Sequence, residues 1–190
     1  MLSSDVSDYD RKAITRFVEI FMSHSGEGYA LNVPKEMIVG EADNDGWAEW
    51  KAVDSPVSEN DIKNIEKKIG YPLPSLFRAY LMYKCLLMTD FIVRLPQTPV
   101  DNPLKEFEQY VKLLDDENSY FRINGLIPFG FDSNDAGPVC FDTKAAQNSD
   151  YPIVLIDTTA INKIEYKPRV VWRNFEDLLK NIENDMLSYD

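Results

Sequence analysis

From Val57 to Lys84 the apolar positions fall at helical spacing and are bracketed by residues that start and stop helices. Ser58 is a natural N-cap, with Asp61 three positions on in a variant of the capping box. Val57 and Ile62 stand where a hydrophobic staple would close the first turn. Ile62, Ile65 and Ile69 recur at i, i+3 and i+7 and form one stripe. Lys67 and Lys68 suit the negative end of the helix dipole, and Gly70 can take the positive φ of a C-terminal cap. Pro72 prevents the helix from resuming, and Pro74 fits the first position of a second helix that carries Phe77, Tyr80 and Leu81 inward. This pattern predicts helix, tight corner, helix, and needs no catalytic group.

Elsewhere the period alternates between helix and strand. Asp8 to His24 reads as an amphipathic helix on Ile14, Phe17, Val18 and Phe21, capped by Asp8 and ended by Gly26 and Gly28. Tyr29 to Val33 reads as a strand or extended connector. Phe91 to Leu95 reads as a strand stopped by Pro96, and Leu104, Phe107, Val111 and Leu114 mark a further helix. Phe121 to Ile123 and Leu126 to Phe131 read as strands around Asn124-Gly125, as a hairpin or a bulge. The turn Asp132 to Gly137 leads into a strand at Val139 to Phe141. Ile153 to Ile156 predicts a strand buried on both faces, and Val170 to Trp172 a final short one. Asn174 then caps a last helix with Asp177 at its third position and a stripe of Phe175, Leu178, Leu179, Ile182 and Met186. Strands in the middle and helices at both ends predict an α+β fold, with a mainly antiparallel central sheet flanked by helices and an additional N-terminal helix.

Composition narrows the function classes. With 20 basic and 32 acidic residues the net charge is −12. That argues against direct nucleic-acid binding, which needs a basic surface, and is compatible with either a basic protein partner or simple solubility. No charged-then-apolar leader opens the sequence and no apolar run approaches a membrane span, so a cytoplasmic protein without membrane insertion is the expectation. Cys85 and Cys140 form no CxxC pair and read as reduced core residues.

Catalytic chemistry finds little support. The single histidine, His24, has no nucleophile that the sequence places beside it, and one His with two isolated Cys makes a zinc site an unattractive reading. There is no phosphate-binding or dinucleotide loop. A glycosidase pair cannot be chosen among 32 acidic residues. Asp132, Asp135 and Asp142 could hold a hard cation, but lack EF-hand spacing, and Asp and Asn belong in turns for local reasons. The expectation is therefore a non-enzymatic protein without metal or cofactor.

The acidic stretch is more informative. Residues 41–61 hold seven Asp or Glu against one Lys and embed Trp47 and Trp50. Spaced by three, the indoles could share one face of a helical turn. Either both pack as a lid on the core, or one stays exposed as an aromatic anchor for a partner.

The pattern Val57-Ser58, Ile62, Ile65-Glu66, Ile69-Gly70, Leu73-Pro74 and Phe77 resembles the signature of the SUKH superfamily, which includes the fungal Smi/Knr glucan-synthesis regulators and bacterial immunity proteins that neutralise polymorphic toxins. The resemblance continues in Trp47-x-x-Trp50, in Ile127 to Asp132, in Val139 to Asp142 and in the helix after Trp172, and spans 47–187 within a single domain of 1–190. Residues 1–40 would be a helix and connector added to it. Members usually carry an Asn-Gly-Gly turn after the second helix; Tyr83 to Met88 has none, which implies a rebuilt loop. The resemblance implies a protein that binds a cognate toxin domain, with a nuclease as the leading case, through an acidic surface that mimics the phosphate backbone. The alternative is a regulatory or scaffold protein like the fungal branch, whose members tend to have long disordered flanks that this sequence lacks. Local charge, not a family motif, marks Glu41, Asp43, Asp45, Trp47 and Trp50 as one candidate contact region and Asp132 and Asp135 as another.

Overall fold

The computed structural model describes residues 6–24, 28–146, 150–161 and 167–188. In chain order the elements are α1 (Asp8–His24), β1 (Tyr29–Leu31), β2 (Ile38–Val39), β3 (Trp47–Trp50), β4 (Val53–Asp54), α2 (Glu59–Ile69) and α3 (Ser75–Tyr83). There follow β5 (Lys84–Cys85), β6 (Val93–Arg94), α4 (Lys105–Val111), α5 (Tyr120–Asn124), β7 (Leu126–Asp132), β8 (Pro138–Asp142), β9 (Ile153–Leu155), β10 (Arg169–Trp172) and α6 (Phe175–Leu187).

Local chemistry fixes α2 as the sequence predicts. The Ser58 hydroxyl accepts from the Asp61 amide at 3.3 Å, and the Asp61 carboxylate accepts from the Ser58 amide at 2.9 Å, which closes the capping box. The Ser58 hydroxyl, which donates to the Asp61 carboxylate at 2.6 Å, and the Ser58 amide together hold the Asp61 carboxyl below its usual range. Gly70 sits in the left-handed region at φ 86° and ends the helix. Ser58→Ala should therefore lower stability by about 1 kcal/mol. Urea unfolding would check this, and a loss indistinguishable from zero would show that tertiary packing alone sets this helix start.

The central sheet has five strands in the order β10-β9-β8-β7-β6, and every neighbouring pair is antiparallel. Helices α3 and α6 lay Phe77 and Phe175 against Phe129 of β7 and Phe141 of β8, whose own rings stack at 4.0 Å. Phe107 of α4 closes the same aromatic cluster on Phe77 at 5.1 Å. The chain thus has the α+β fold its pattern predicts. Helix α1 packs on α3 and α6. Its Phe17 and Phe21 meet Phe91, and Phe21 meets Trp50, so the N-terminal helix and the strands after it share the core.

Several expectations are corrected. Ser7, not Asp8, caps α1: its hydroxyl accepts from the Asp10 amide at 3.1 Å and its amide donates to the Asp10 carboxylate at 2.9 Å. Gly26, expected to help end that helix, lies outside the described residues. Pro74 precedes α3 at its N-cap instead of opening it. Phe121 to Ile123 is helix, not strand, because the Ser119 hydroxyl accepts from the Arg122 amide and Gly125 terminates the turn at φ 67°. Three apolar-rich residues are too few for periodicity to separate helix from strand. The rebuilt segment after α3 becomes β5, which pairs with β4.

Candidate functional site

The first candidate region is built on a hairpin. β3 is the middle strand of a three-stranded antiparallel sheet ordered β1-β3-β2. Between β2 and β3 the chain turns over Gly40 to Gly46, both of which have positive φ. The Asp43 carboxylate fixes this turn by accepting from the Asp45 amide at 2.9 Å and the Trp47 amide at 2.8 Å. The Asp43 amide in turn donates to the Trp47 carbonyl at 2.8 Å. Glu41, Asp43 and Asp45 all project from the exposed turn, and Asp43 is a structural residue as well as a charge.

The paired tryptophans are on a strand, not a helical turn. Side chains alternate along a strand, so residues three apart face opposite ways. Trp47 is 43 % exposed, whereas Trp50 is 3 % exposed and packs on Phe21 at 6.1 Å. The shared face expected of them is therefore wrong. Trp50 is part of the core, and Trp47 is exposed. Tyr29, Leu31 and Val39 also stay exposed on this sheet, and the sequence reading missed them. Their signal is the alternation Tyr29-Ala30-Leu31, which acquires meaning only once β1 is known to pair with β3.

The second region is the β7–β8 turn. The Asp132 carboxylate accepts from the Asn134 amide at 2.9 Å and the Ala136 amide at 3.4 Å. Asp135 pairs with the Arg94 guanidinium, which also donates to the Asp132 carbonyl at 3.0 Å. Its charge is thus matched within the fold. Asp142 lies away from this turn in role: it caps a short 3₁₀ turn by accepting from the Lys144 and Ala145 amides at 3.0 and 3.2 Å. Among the described residues no three His, Cys, Asp or Glu side chains gather as a metal site. An open groove of about 430 Å³ adjoins the turn, and Asp132, Asn134, Arg169 and Trp172 are among the residues that line it. The two candidate regions are on separate hairpins of separate sheets.

The two thiols are buried and unpaired with each other. Burial pushes Cys85 up to about 11 and raises Cys140 well above the ordinary thiol value, which disfavours thiolate at neutral pH. No helix among the described residues is long and apolar enough to cross a membrane.

A family model described as the SMI1 / KNR4 family (SUKH-1) matches residues 56–181, more than half of the chain. No curated protein matches. The match includes Asp132 and Asp135; the hairpin carrying Glu41, Asp43, Asp45 and Trp47 precedes it.

Proposed function

Given that the chain belongs to the SMI1 / KNR4 family (SUKH-1), we propose that it is an immunity-type protein that binds and neutralises a cognate toxin domain, a nuclease being the leading case. The observation that carries this reading is the β2–β3 hairpin. Residues 41–50 hold four carboxylates and no basic side chain, and the hairpin turn stands exposed beside Trp47. A nuclease holds its substrate in a basic cleft, and rigidly displayed carboxylates can occupy that cleft in place of phosphates. Long-range attraction would speed the encounter, and the aromatic side chain would slow dissociation. Asp132 and Asp135 are the weaker second contact, because Arg94 already balances that turn.

The test begins with capture of the tagged protein from its native cells at low and high salt. The reading requires one basic partner that is lost as salt rises and is toxic when produced alone. With that purified partner, Glu41→Lys and Asp45→Lys together should slow association at least tenfold at low salt. Asp43→Asn should slow it less, since the amide oxygen can still accept the turn's hydrogen bonds. An association rate unmoved by the double reversal would refute the electrostatic mechanism. The resemblance to the fungal Smi/Knr regulators favours a second reading, a non-enzymatic regulatory or scaffold protein for cell-wall synthesis; it requires several partners and no toxicity in any of them.

A further inference from the structure

We propose that the outer face of the β1–β3–β2 sheet is the anchor site for that partner: it takes an apolar side chain of a basic protein, flanked by Lys or Arg. This rests on the binding role proposed above and names the surface and chemistry that carry it out.

Strand register assembles the face. Tyr29 is opposite Glu49, Leu31 is opposite Trp47, and Val39 is opposite Glu49 on the other side of β3. The Asn32 amide donates to the Gly46 carbonyl and the Trp50 amide to the Gly28 carbonyl. Tyr29/Glu49 and Leu31/Trp47 are therefore the non-hydrogen-bonded pairs, in which side chains approach most closely. Tyr29, Leu31, Trp47 and Val39 are 51, 49, 43 and 37 % exposed. Single exposed apolar residues are ordinary; neighbours joined across three strands make a patch.

The opposite face explains why this one is rigid. Ala30, Ala48 and Trp50 are buried, and Trp50 is wedged against Phe21, which contacts Phe91 in turn. The sheet is thus riveted to the core by α1 and needs no partner to hold its shape.

Charge decides the occupant. Glu41, Asp43 and Asp45 stand at the hairpin end of the face and Glu49 stands within it; Lys51 follows β3 at the far end. A second copy of a chain of net charge −12 would bring the same carboxylates against each other. A basic partner relieves them. The face also precedes the family-matched segment 56–181, so it is an element through which this chain can select its own partner.

The experiment uses the full chain and the purified basic protein recovered by salt-sensitive capture. Trp47→Ala should weaken binding about 30-fold, mainly through faster dissociation, as expected of a central aromatic anchor. Leu31→Ser and Tyr29→Ser should each weaken it severalfold, and Ile123→Ser, exposed elsewhere on α5, should leave it unchanged. Circular dichroism melts confirm folding of each variant, and the Ser variants keep the test open if Trp47→Ala proves unstable. Salt-sensitive, tight binding that none of the three variants alters would overturn the anchor while leaving the proposed function standing. A capture that yields no basic toxic partner would overturn both. Sedimentation showing a dimer abolished by Trp47→Ala would overturn the anchor in favour of self-association.

Discussion

Phe77→Ala is expected to remove about 3–5 kcal/mol of stability, as large-to-small changes at a fully buried aromatic do. Phe77 is completely buried, and its ring centroid is 5.1 to 6.0 Å from those of Tyr80, Phe107, Phe129, Phe141 and Phe175. Those rings come from α3 itself, α4, β7, β8 and α6, so this one side chain joins three helices to the central sheet. Because the neighbours are held by different elements, they cannot all move in to fill the vacated space. The cavity cost then adds to the lost transfer energy. A loss of that size is a large part of the roughly 5–15 kcal/mol typical of a folded domain. Equilibrium unfolding in urea would show the midpoint falling without a change of slope. Phe77→Leu should lie between wild type and Phe77→Ala. A loss under about 1.5 kcal/mol for Phe77→Ala would mean that the cluster collapses onto the gap and that its elements do not hold the neighbouring rings in place.

What could be read from the sequence was what local chemistry determines. Ser58, Asp61 and Gly70 act within a few residues of themselves, and the structure has them in the roles their spacing predicts. The α6 cap at Asn174, which accepts from the Asp177 amide at 2.9 Å, is of the same kind. What could not be read depends on partners distant in sequence. Trp47 and Trp50 at i and i+3 share a face only on a helix; pairing with β1 and β2 makes the segment a strand and separates them. Asp135 is acidic in any window, yet its counter-charge, Arg94, comes from the neighbouring strand β6. Arg78 is completely buried on α3, where it pairs with Glu59 of α2. Nothing in its own turn of helix signals that burial. The candidate site divides in the same way. The charges of Glu41, Asp43 and Asp45 were legible, but the face they border was not, because Tyr29, Leu31, Val39 and Trp47 become neighbours only through strand register.

Gly137 shows the same division at a single residue, and Gly137→Ala should cost about 3 kcal/mol or more, combining backbone strain with forced displacement of packed atoms. In the sequence it is one permissive residue in a polar turn. In the structure its φ is +147°, and a β-carbon there would fall 1.9 Å from the Ile156 carbonyl oxygen. That oxygen is backbone, at the end of β9, and cannot swing aside as a side chain can. The approach is close because two hydrogen bonds draw the chains together: the Asp132 amide donates to the Gly137 carbonyl at 2.9 Å, and the Ile156 amide to the Pro138 carbonyl at 3.0 Å. A methyl group must therefore break the β7–β8 turn or push β9 away from β8. Gly70→Ala is the control for φ alone. Gly70 is at φ +86° with nothing within 4 Å of the added carbon, so its cost should be only the 1–2 kcal/mol (roughly) of a left-handed alanine. Urea unfolding of both variants separates crowding from conformation, and amide exchange at Ile156 and Asp132 should accelerate in Gly137→Ala alone. Equal losses in the two variants would mean that β9 gives way freely. The hairpin and β9 would then be joined less tightly than their hydrogen bonds require.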